Sequence, residues 1–169
     1  MQRLILLRHG KAESVATTGG DFERGLTERG RRDAALIGRV LAEAGLVPDL
    51  ALVSPARRAR ETWEEAAPSF PYARCEHSRL IYLASAQQLA QLVANATEPV
   101  NNLIVVGHNP GLHDFALSLF GQTPSLAAAD NPLLGAFPTA AAAVFGIDAG
   151  GRARFERLLL PRDHGGGAA

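Results

Sequence analysis

The chain has 169 residues, of which 47% are hydrophobic and 20% charged, values typical of a folded globular protein rather than a disordered one. Its 17 basic and 17 acidic residues cancel, whereas general binders of nucleic acid or anionic membranes are basic, so we expect neither partner. The single cysteine, Cys75, excludes an intramolecular disulfide and a cysteine-based zinc site.

The predicted elements alternate between strands and helices. Short apolar runs followed by turn residues predict buried strands, and amphipathic segments that end at Gly or Pro predict helices. In chain order these are strand 4–7, helix 27–44, strand 50–53, helix 55–67, helix 86–96, strand 103–106, helix 110–120 and a hairpin of 143–147 with 154–160. The pattern predicts an α/β fold, a three-layer αβα sandwich with a mostly parallel central sheet and a late antiparallel hairpin.

The length predicts one domain over residues 1–162, followed by a Gly-rich segment, 163–169, that we expect to be a flexible tail. The first apolar run, Leu4 to Leu7, stops at Arg8. It is too short for a signal peptide or a membrane span, so we expect a cytoplasmic protein. The oligomeric state cannot be predicted from these features.

Polar clusters follow three of the predicted strands: Arg8-His9-Gly10, Ser54 to Arg58, and Gly107 to Gly111. In open α/β sheets, ligands bind beyond the carboxyl ends of the strands, so parallel neighbours would bring two histidines and at least two arginines together. Ser54-Pro55 and Asn109-Pro110 each predict an N-cap with proline at the first helical position, and free helix N–H groups attract anions. The clusters therefore predict a site for a doubly charged oxyanion such as phosphate, whose oxygens match planar arginine forks.

The pair of imidazoles points beyond binding to catalysis, because arginines and backbone amides alone can hold phosphate. A neutral histidine is a good nucleophile toward phosphorus, and nearby cations keep it neutral by lowering its pKa. We hypothesise that His9 attacks the phosphorus atom and that water hydrolyses the resulting phosphohistidine. His108 would donate a hydrogen bond to a phosphoryl oxygen while the arginines stabilise the transferring charge.

Four segments, in order, resemble the motifs of the histidine phosphatase superfamily, which has the phosphoglycerate-mutase-like fold. They are LLRHGKAE at 6–13, DFERGLTERG at 21–30 (the family's D-x-x-R-x-L-T-x-x-G), SPARRARET at 54–62 (S-P-x-x-R-A-x-x-T) and GHNPG at 107–111. The resemblance implies His9 as nucleophile, a phosphate held by Arg8, Arg58 and His108, and no metal or other cofactor. The register selects Arg58 rather than Arg57. The small size, Arg24 and the Gly-His-Asn-Pro sequence are most similar to the SixA-type phosphohistidine phosphatases, which implies that Arg24 also lines the pocket.

The substrate class follows from an acid that the sequence lacks. Relatives that act on alkyl phosphates are expected to place a carboxylic acid after the third strand, but no Asp or Glu lies between Glu76 and Glu98. A positioned acid is typically worth ~10²–10⁴-fold for a departing alkoxide. An imidazole needs this help far less, because its nitrogen takes up a proton near neutral pH. The missing acid therefore favours a phosphohistidine, another phosphoramidate or an activated aryl ester. Of these we predict phosphohistidine, carried by a phosphorylated protein partner.

Two alternatives stay open. One is a phosphatase of small-molecule or sugar phosphomonoesters with the same fold, whose acid comes from elsewhere, such as Glu13 or Glu76; the other is a non-catalytic phosphoprotein-binding module. A metal site is not expected, because His108 and His113 are five residues apart, one more than the spacing of helical zinc pairs. Four late arginines are predicted to lie on a solvated strand edge, although they could instead rim the pocket and meet an acidic partner: Arg152, Arg154, Arg157 and Arg162.

Overall fold

A six-stranded mixed sheet lies between two pairs of helices in the computed structural model, which describes residues 1–96, 99–123 and 128–167. The strands are β1 (Arg3–Arg8), β2 (Leu50–Val53), β3 (Arg74–His77), β4 (Asn102–Gly107), β5 (Ala142–Ile147) and β6 (Ala153–Leu159). The α-helices are α1 (Glu28–Glu43), α2 (Arg57–Ala66), α3 (Ala86–Ala94) and α4 (Gly111–Phe120). Strand order is β3-β2-β4-β1-β5-β6. The first four are parallel, β5 is antiparallel to both β1 and β6, and the predicted fold class is confirmed.

The central strands are buried on both faces, which explains why they appear in the sequence as continuous apolar runs. Alternate side chains of β1 point to opposite faces: Ile5 and Leu7 pack with α1 and α2, whereas Leu4 and Leu6 pack with α3 and α4. The other central strands divide in the same way, so the sheet has one apolar core on each side. These two cores fix the positions of the strand ends.

The helix ends follow capping chemistry at α1 and α3. The Thr27 side chain accepts a hydrogen bond from the Gly30 N–H, and Ser85 with Gln88 forms a complete capping box. The predicted caps of the other two helices are wrong. Helix α2 is capped by Ala56 instead of Ser54, and α4 by Pro110 instead of Asn109. Both of the predicted capping side chains bond elsewhere: Ser54 contacts the ring of His108, and Asn109 donates to the Phe137 carbonyl.

The C-terminal segment turns back onto α1. Pro161–His164 form a 3-10 turn, and the Gly167 N–H donates a 2.9 Å hydrogen bond to the Asp33 carboxylate. Flexibility of the segment 163–169 stays a prediction, as does the single domain over 1–162. None of the helices that the structure describes has the length and apolar character that a membrane crossing requires.

Candidate active site

The carboxyl ends of β1, β2 and β4 place the three predicted polar clusters side by side. Arg8 pairs with Gly107 across the parallel ladder, and the His9 N–H donates to the Gly107 carbonyl at 3.1 Å. The Ser54 N–H donates to the Val106 carbonyl at 3.0 Å. As a result the rings of His9 and His108 lie with their centroids 5.3 Å apart. The convergence follows directly from the parallel order of these strands.

The orientation of the His9 ring is set by its two nitrogens. Its Nδ1 lies 2.7 Å from the Gly10 carbonyl oxygen, which can only accept, so Nδ1 carries the ring proton. Its Nε2 accepts from the Arg58 Nε at 3.3 Å. Gly10 is required here because a Cβ atom would lie 2.6 Å from the carbonyl oxygen of Gly30 in α1. His9 therefore presents an unprotonated Nε2 beside a guanidinium.

Arg58 is a buried cation on the first turn of α2, only 3% exposed. Besides His9, it donates from Nη1 to the Asp21 carbonyl at 2.7 Å and from Nη2 to the Asp21 carboxylate at 3.0 Å. The Thr62 hydroxyl ties α2 to the loop after β1, because it donates to the Arg58 carbonyl at 2.6 Å and accepts from the Gly10 N–H at 2.9 Å. Arg57, the residue before Arg58, takes no part in these contacts and donates to Glu61.

His108 is held by Ser54, with its Nε2 2.7 Å from the Ser54 hydroxyl oxygen. Its Nδ1 is buried and has no hydrogen-bond partner within the described part of the chain. The Asn109 side chain, predicted to cap α4, donates instead to the Phe137 carbonyl at 2.9 Å. Ser54 and Asn109 thus serve the site, which explains why neither caps its helix.

Arg8 and Arg24 complete the basic wall of the cleft. The Arg8 Nη1 donates to the Phe137 carbonyl at 2.9 Å, while its Nε is buried without a partner among the described residues. Arg24 donates to the Asp21 carboxylate at 2.9 Å and to the Glu13 carbonyl at 2.7 Å. The cleft has a volume of about 320 Å³ and is lined by Arg8, His9, Lys11, Ala12, Asp21, Arg24, Arg58, Leu83, His108, Asn109 and Thr139.

Two side chains in the site carry no role in the sequence analysis. Asp21 lies on a 3-10 turn, Gly20–Glu23, and its carboxylate joins Arg24 and Arg58. The Tyr82 hydroxyl donates to the same carboxylate at 2.8 Å, and its ring meets His108 edge-on at 5.5 Å. Asp21 belongs to the D-x-x-R segment, so its spacing from Arg24 was the available signal; no sequence pattern pointed to Tyr82.

Burial and positive charge make both imidazoles neutral. Desolvation is the main cause that lowers the pKa of His9 to about 3, with smaller contributions from His108, Arg58 and Arg8. Desolvation and then the Arg58 charge lower the pKa of His108 to about 4. For Asp21, burial raises the pKa, but hydrogen bonds from Tyr82 and Arg24 and the charge of Arg58 outweigh it and bring the pKa to about 2. At neutral pH the cleft thus combines neutral histidines with an ionised carboxylate.

Several candidate residues lie away from the cleft. Glu76 is on the exposed edge strand β3, and neither it nor the Glu13 side chain lines the cleft. The Nε2 atom of His113 lies 2.6 Å from the Leu133 carbonyl oxygen, within hydrogen-bond distance. The late arginines Arg152, Arg154, Arg157 and Arg162 are exposed and do not line the cleft. In the described ranges, no group of three or more His, Cys, Asp or Glu side chains is arranged to hold a metal ion.

Comparison with known proteins gives one consistent result. The profile of the histidine phosphatase superfamily (branch 1) matches residues 4–81. A crystal structure of a candidate phosphohistidine phosphatase SixA from Agrobacterium tumefaciens is 33% identical, with a TM-score of 0.82 over 95% of this chain and 98% of that one. A second candidate SixA, from Nakamurella multipartitia, is 26% identical, with a TM-score of 0.82 over 95% and 96% of the two chains. A chloroplastic protein of Arabidopsis thaliana is 29% identical over 95% of this chain and 78% of its own length.

Proposed function

The chain belongs to branch 1 of the histidine phosphatase superfamily, and from this premise we propose that it hydrolyses phosphohistidine on a protein through a phosphohistidine intermediate at His9. The observation that carries the proposal is the His9 ring. Its proton is held on Nδ1 by the Gly10 carbonyl, so the lone pair lies on Nε2, where it accepts a long hydrogen bond of 3.3 Å from Arg58 Nε that a bound phosphoryl group would replace. A neutral, oriented imidazole next to a guanidinium suits nucleophilic attack on a bound phosphoryl group.

The phosphoryl group would be held by donors that the protein leaves available. The Ser54 hydroxyl oxygen lies 2.7 Å from Nε2 of His108 and also accepts from the Ala56 N–H. We infer that the hydroxyl proton goes to Nε2, which places the ring proton of His108 on Nδ1, an atom with no partner among the described residues. The Arg8 Nε is likewise buried and without a partner in that part of the chain. Buried donors normally find an acceptor, and phosphoryl oxygens supply acceptors here. With Arg58 and Arg24, these groups provide the positive charge that the transition state requires, and no step needs a metal.

The reaction has two displacements. The Nε2 of His9 forms a bond to phosphorus while the bond from phosphorus to the substrate nitrogen breaks, and the electron pair of that bond stays on the substrate ring. Water then attacks phosphorus, the pair of the phosphorus–Nε2 bond returns to His9, and dihydrogen phosphate leaves. His9 keeps its Nδ1 proton throughout, held by the Gly10 carbonyl.

The acids available at the cleft favour phosphohistidine over an alkyl phosphate. Asp21 is the carboxylate among the lining residues, and with a pKa of about 2 it is ionised at neutral pH and has no proton to donate. An alkoxide would therefore leave unprotonated, whereas a ring nitrogen can leave as neutral imidazole. The SixA assignment of two similar structures agrees with this substrate class. A phosphorylated protein is then the partner; a cytoplasmic location stays a prediction.

The test compares phosphate release from a phosphohistidine-bearing protein with release from 3-phosphoglycerate, with EDTA present. We expect release from phosphohistidine and little from the alkyl ester. Rapid quenching at alkaline pH, where phosphohistidine survives, should trap labelled His9. His9→Ala should abolish both the label and the release.

The matched control is His77→Ala, which removes an exposed histidine on β3 and should leave labelling intact. Equal or faster release from 3-phosphoglycerate would contradict the proposed substrate and would indicate an acid supplied from elsewhere. Binding of phosphoprotein without label or release would indicate a non-catalytic module. Loss of activity on adding EDTA would contradict a metal-independent reaction.

A further inference from the structure

The Asp21 carboxylate accepts hydrogen bonds from Arg24 and Arg58, two arginines that the phosphoryl group needs. Its Oδ1 accepts from Arg24, and its Oδ2 accepts both from Nη2 of Arg58 and from the Tyr82 hydroxyl. A carboxylate has about four lone-pair sites, and the Oδ2 sites are both taken in this arrangement. The side chain is nevertheless 48% exposed, so it lies at the mouth of the cleft within reach of a substrate.

A phosphoryl group that enters the cleft competes with Asp21 for Arg58. A dianionic phosphoryl group carries more charge than a carboxylate and has three oxygens to offer, so it is the stronger partner for a guanidinium. When Nη2 of Arg58 turns to the phosphoryl group, one acceptor site on Oδ2 becomes free. An ionised carboxylate with a free acceptor site then lies next to the bound substrate.

We propose that this freed Asp21 carboxylate accepts the ring N–H of the substrate imidazole and so stabilises the positively charged phosphoimidazole from which the phosphoryl group departs. The inference rests on the proposed function, and it assigns Asp21 to the leaving group. A general acid would have to hold a proton, and Asp21 holds none. It acts instead on a proton that the substrate already carries, in the way that a carboxylate orients a histidine in a catalytic triad.

The proton balance of the first displacement shows why this contact matters. The substrate ring is bonded to phosphorus through one nitrogen and carries a proton on the other. When the phosphorus–nitrogen bond breaks, the pair goes to the ring, which leaves as neutral imidazole, while the His9 ring acquires the phosphoryl group and the positive charge. Two equivalent rings thus exchange one phosphoryl group. The Gly10 carbonyl holds the N–H of His9 on one side, and Asp21 would hold the N–H of the substrate on the other.

The aromatic surroundings of Asp21 suit a planar ring. Phe22, the next residue, packs edge-to-face on Tyr82 with centroids 5.0 Å apart, and both side chains are half-buried. Tyr82 in turn meets the His108 ring edge-on. An imidazole that donates to Asp21 would therefore rest beside aromatic rings, where stacked and edge-on arrangements are favourable. A leaving group that carries its own carboxylate, such as phosphoglycerate, would instead meet a like charge at Asp21.

The test distinguishes an effect of Asp21 on the leaving group from an effect on the binding of the phosphoryl group. Asp21→Asn is compared with the unmodified protein on a phosphohistidine-bearing protein and on p-nitrophenyl phosphate, whose nitrophenolate has no ring N–H to donate. We expect the ratio of kcat/KM for phosphohistidine to kcat/KM for the aryl ester to fall by roughly 10- to 100-fold, the range of one hydrogen bond to a charged group. Asp21→Glu keeps the charge and should recover part of that ratio.

Asp148→Asn is the matched control. It makes the same change in the turn between β5 and β6, where an amide oxygen can still accept from the Gly150 and Arg152 N–H groups, and the ratio should not move. Equal losses of Asp21→Asn on both substrates would overturn the inference and show that Asp21 only orients Arg58 and Arg24. If Asp21→Asn changes neither the ratio of the two kcat/KM values nor either value by itself, the inference is overturned as well. Failure of the unmodified protein on phosphohistidine, with turnover of the ester, would overturn the proposed function and the inference together.

Discussion

The two neutral histidines predict a steep loss of stability in mild acid. Both are buried, and Arg8, Arg24 and Arg58 oppose a further positive charge, while Asp21 only partly favours one. Folding keeps the rings neutral, with pKa values of about 3 for His9 and about 4 for His108 against 6.5 in the unfolded chain. Below pH 6.5 the unfolded chain therefore binds more protons than the folded one, and the free energy of unfolding falls as the pH falls.

The magnitude follows from the proton-binding equilibria. Between pH 7 and pH 5, a histidine whose pKa drops from 6.5 to about 3 on folding lowers the free energy of unfolding by about 2 kcal/mol. The shift of His108 to about 4 contributes nearly the same amount over this interval, since pH 5 is still above its folded pKa. Together they remove about 4 kcal/mol, a large part of a typical total of 5–15 kcal/mol. The loss continues down to about pH 4, where His108 begins to titrate in the folded protein.

Urea unfolding at pH 7 and pH 5 measures the effect, with the fluorescence of Trp63, which is buried and stacked on Phe70, as the signal. The double variant His9→Gln/His108→Gln should lose about 4 kcal/mol less between the two pH values than the unmodified protein. The exposed His77→Gln serves as the control and should follow the unmodified protein. Equal losses of stability in the double variant and the unmodified protein on going to pH 5 would show that folding does not hold these two histidines neutral.

Two further substitutions test separate parts of the site. Arg58→Lys keeps the positive charge but removes the planar guanidinium that donates to His9 and Asp21. The fold should stay intact, while kcat/KM for phosphohistidine should fall by about 10²-fold. Near-normal turnover would contradict the role assigned to Arg58. Glu61→Ala removes the carboxylate that accepts from the Leu26 N–H at 2.7 Å and pairs with two arginines; urea unfolding should show a loss of about 3 kcal/mol, and Glu61→Gln, which can still accept, should lose less.

The elements that could be predicted are those whose local pattern and tertiary role agree. The strands β1, β2 and β4 are buried on both faces, so each contains a continuous run of four apolar residues, and the predicted positions are confirmed. Strand β3 was not predicted, because Arg74–His77 has no apolar alternation and all of it is exposed. Backbone pairing with β2 holds it in the sheet, with Cys75 opposite Ala51. Edge strands of this kind leave little hydrophobic pattern in a sequence.

Parts of the site depend on contacts between distant segments. His9, His108, Arg8 and Arg58 could be predicted because each lies at the end of a recognisable strand or shortly after it, whereas Arg24 was expected only from the family resemblance. Ser54 and Asn109 carry cap signals, but their side chains bond to His108 and to the Phe137 carbonyl, contacts that span 54 and 28 residues. Tyr82 reaches Asp21 across 61 residues. Local propensity cannot register such partners, so the groups that contact the rings and arginines of the cleft emerge only from the folded arrangement.

The charges of the cleft lead to one conclusion about selectivity. Among the described residues, the cationic side chains that line it are Arg8, Lys11, Arg24 and Arg58, and the one carboxylate is that of Asp21, while the imidazoles are neutral. A dianionic phosphoryl group removes most of this excess when it binds, and in doing so it draws Arg58 away from Asp21. The remaining carboxylate then favours a leaving group that is neutral or protonated and repels one that is acidic. Since the chain as a whole has no net charge, long-range attraction contributes little to this choice, and discrimination between substrates falls to the few ångströms around Asp21.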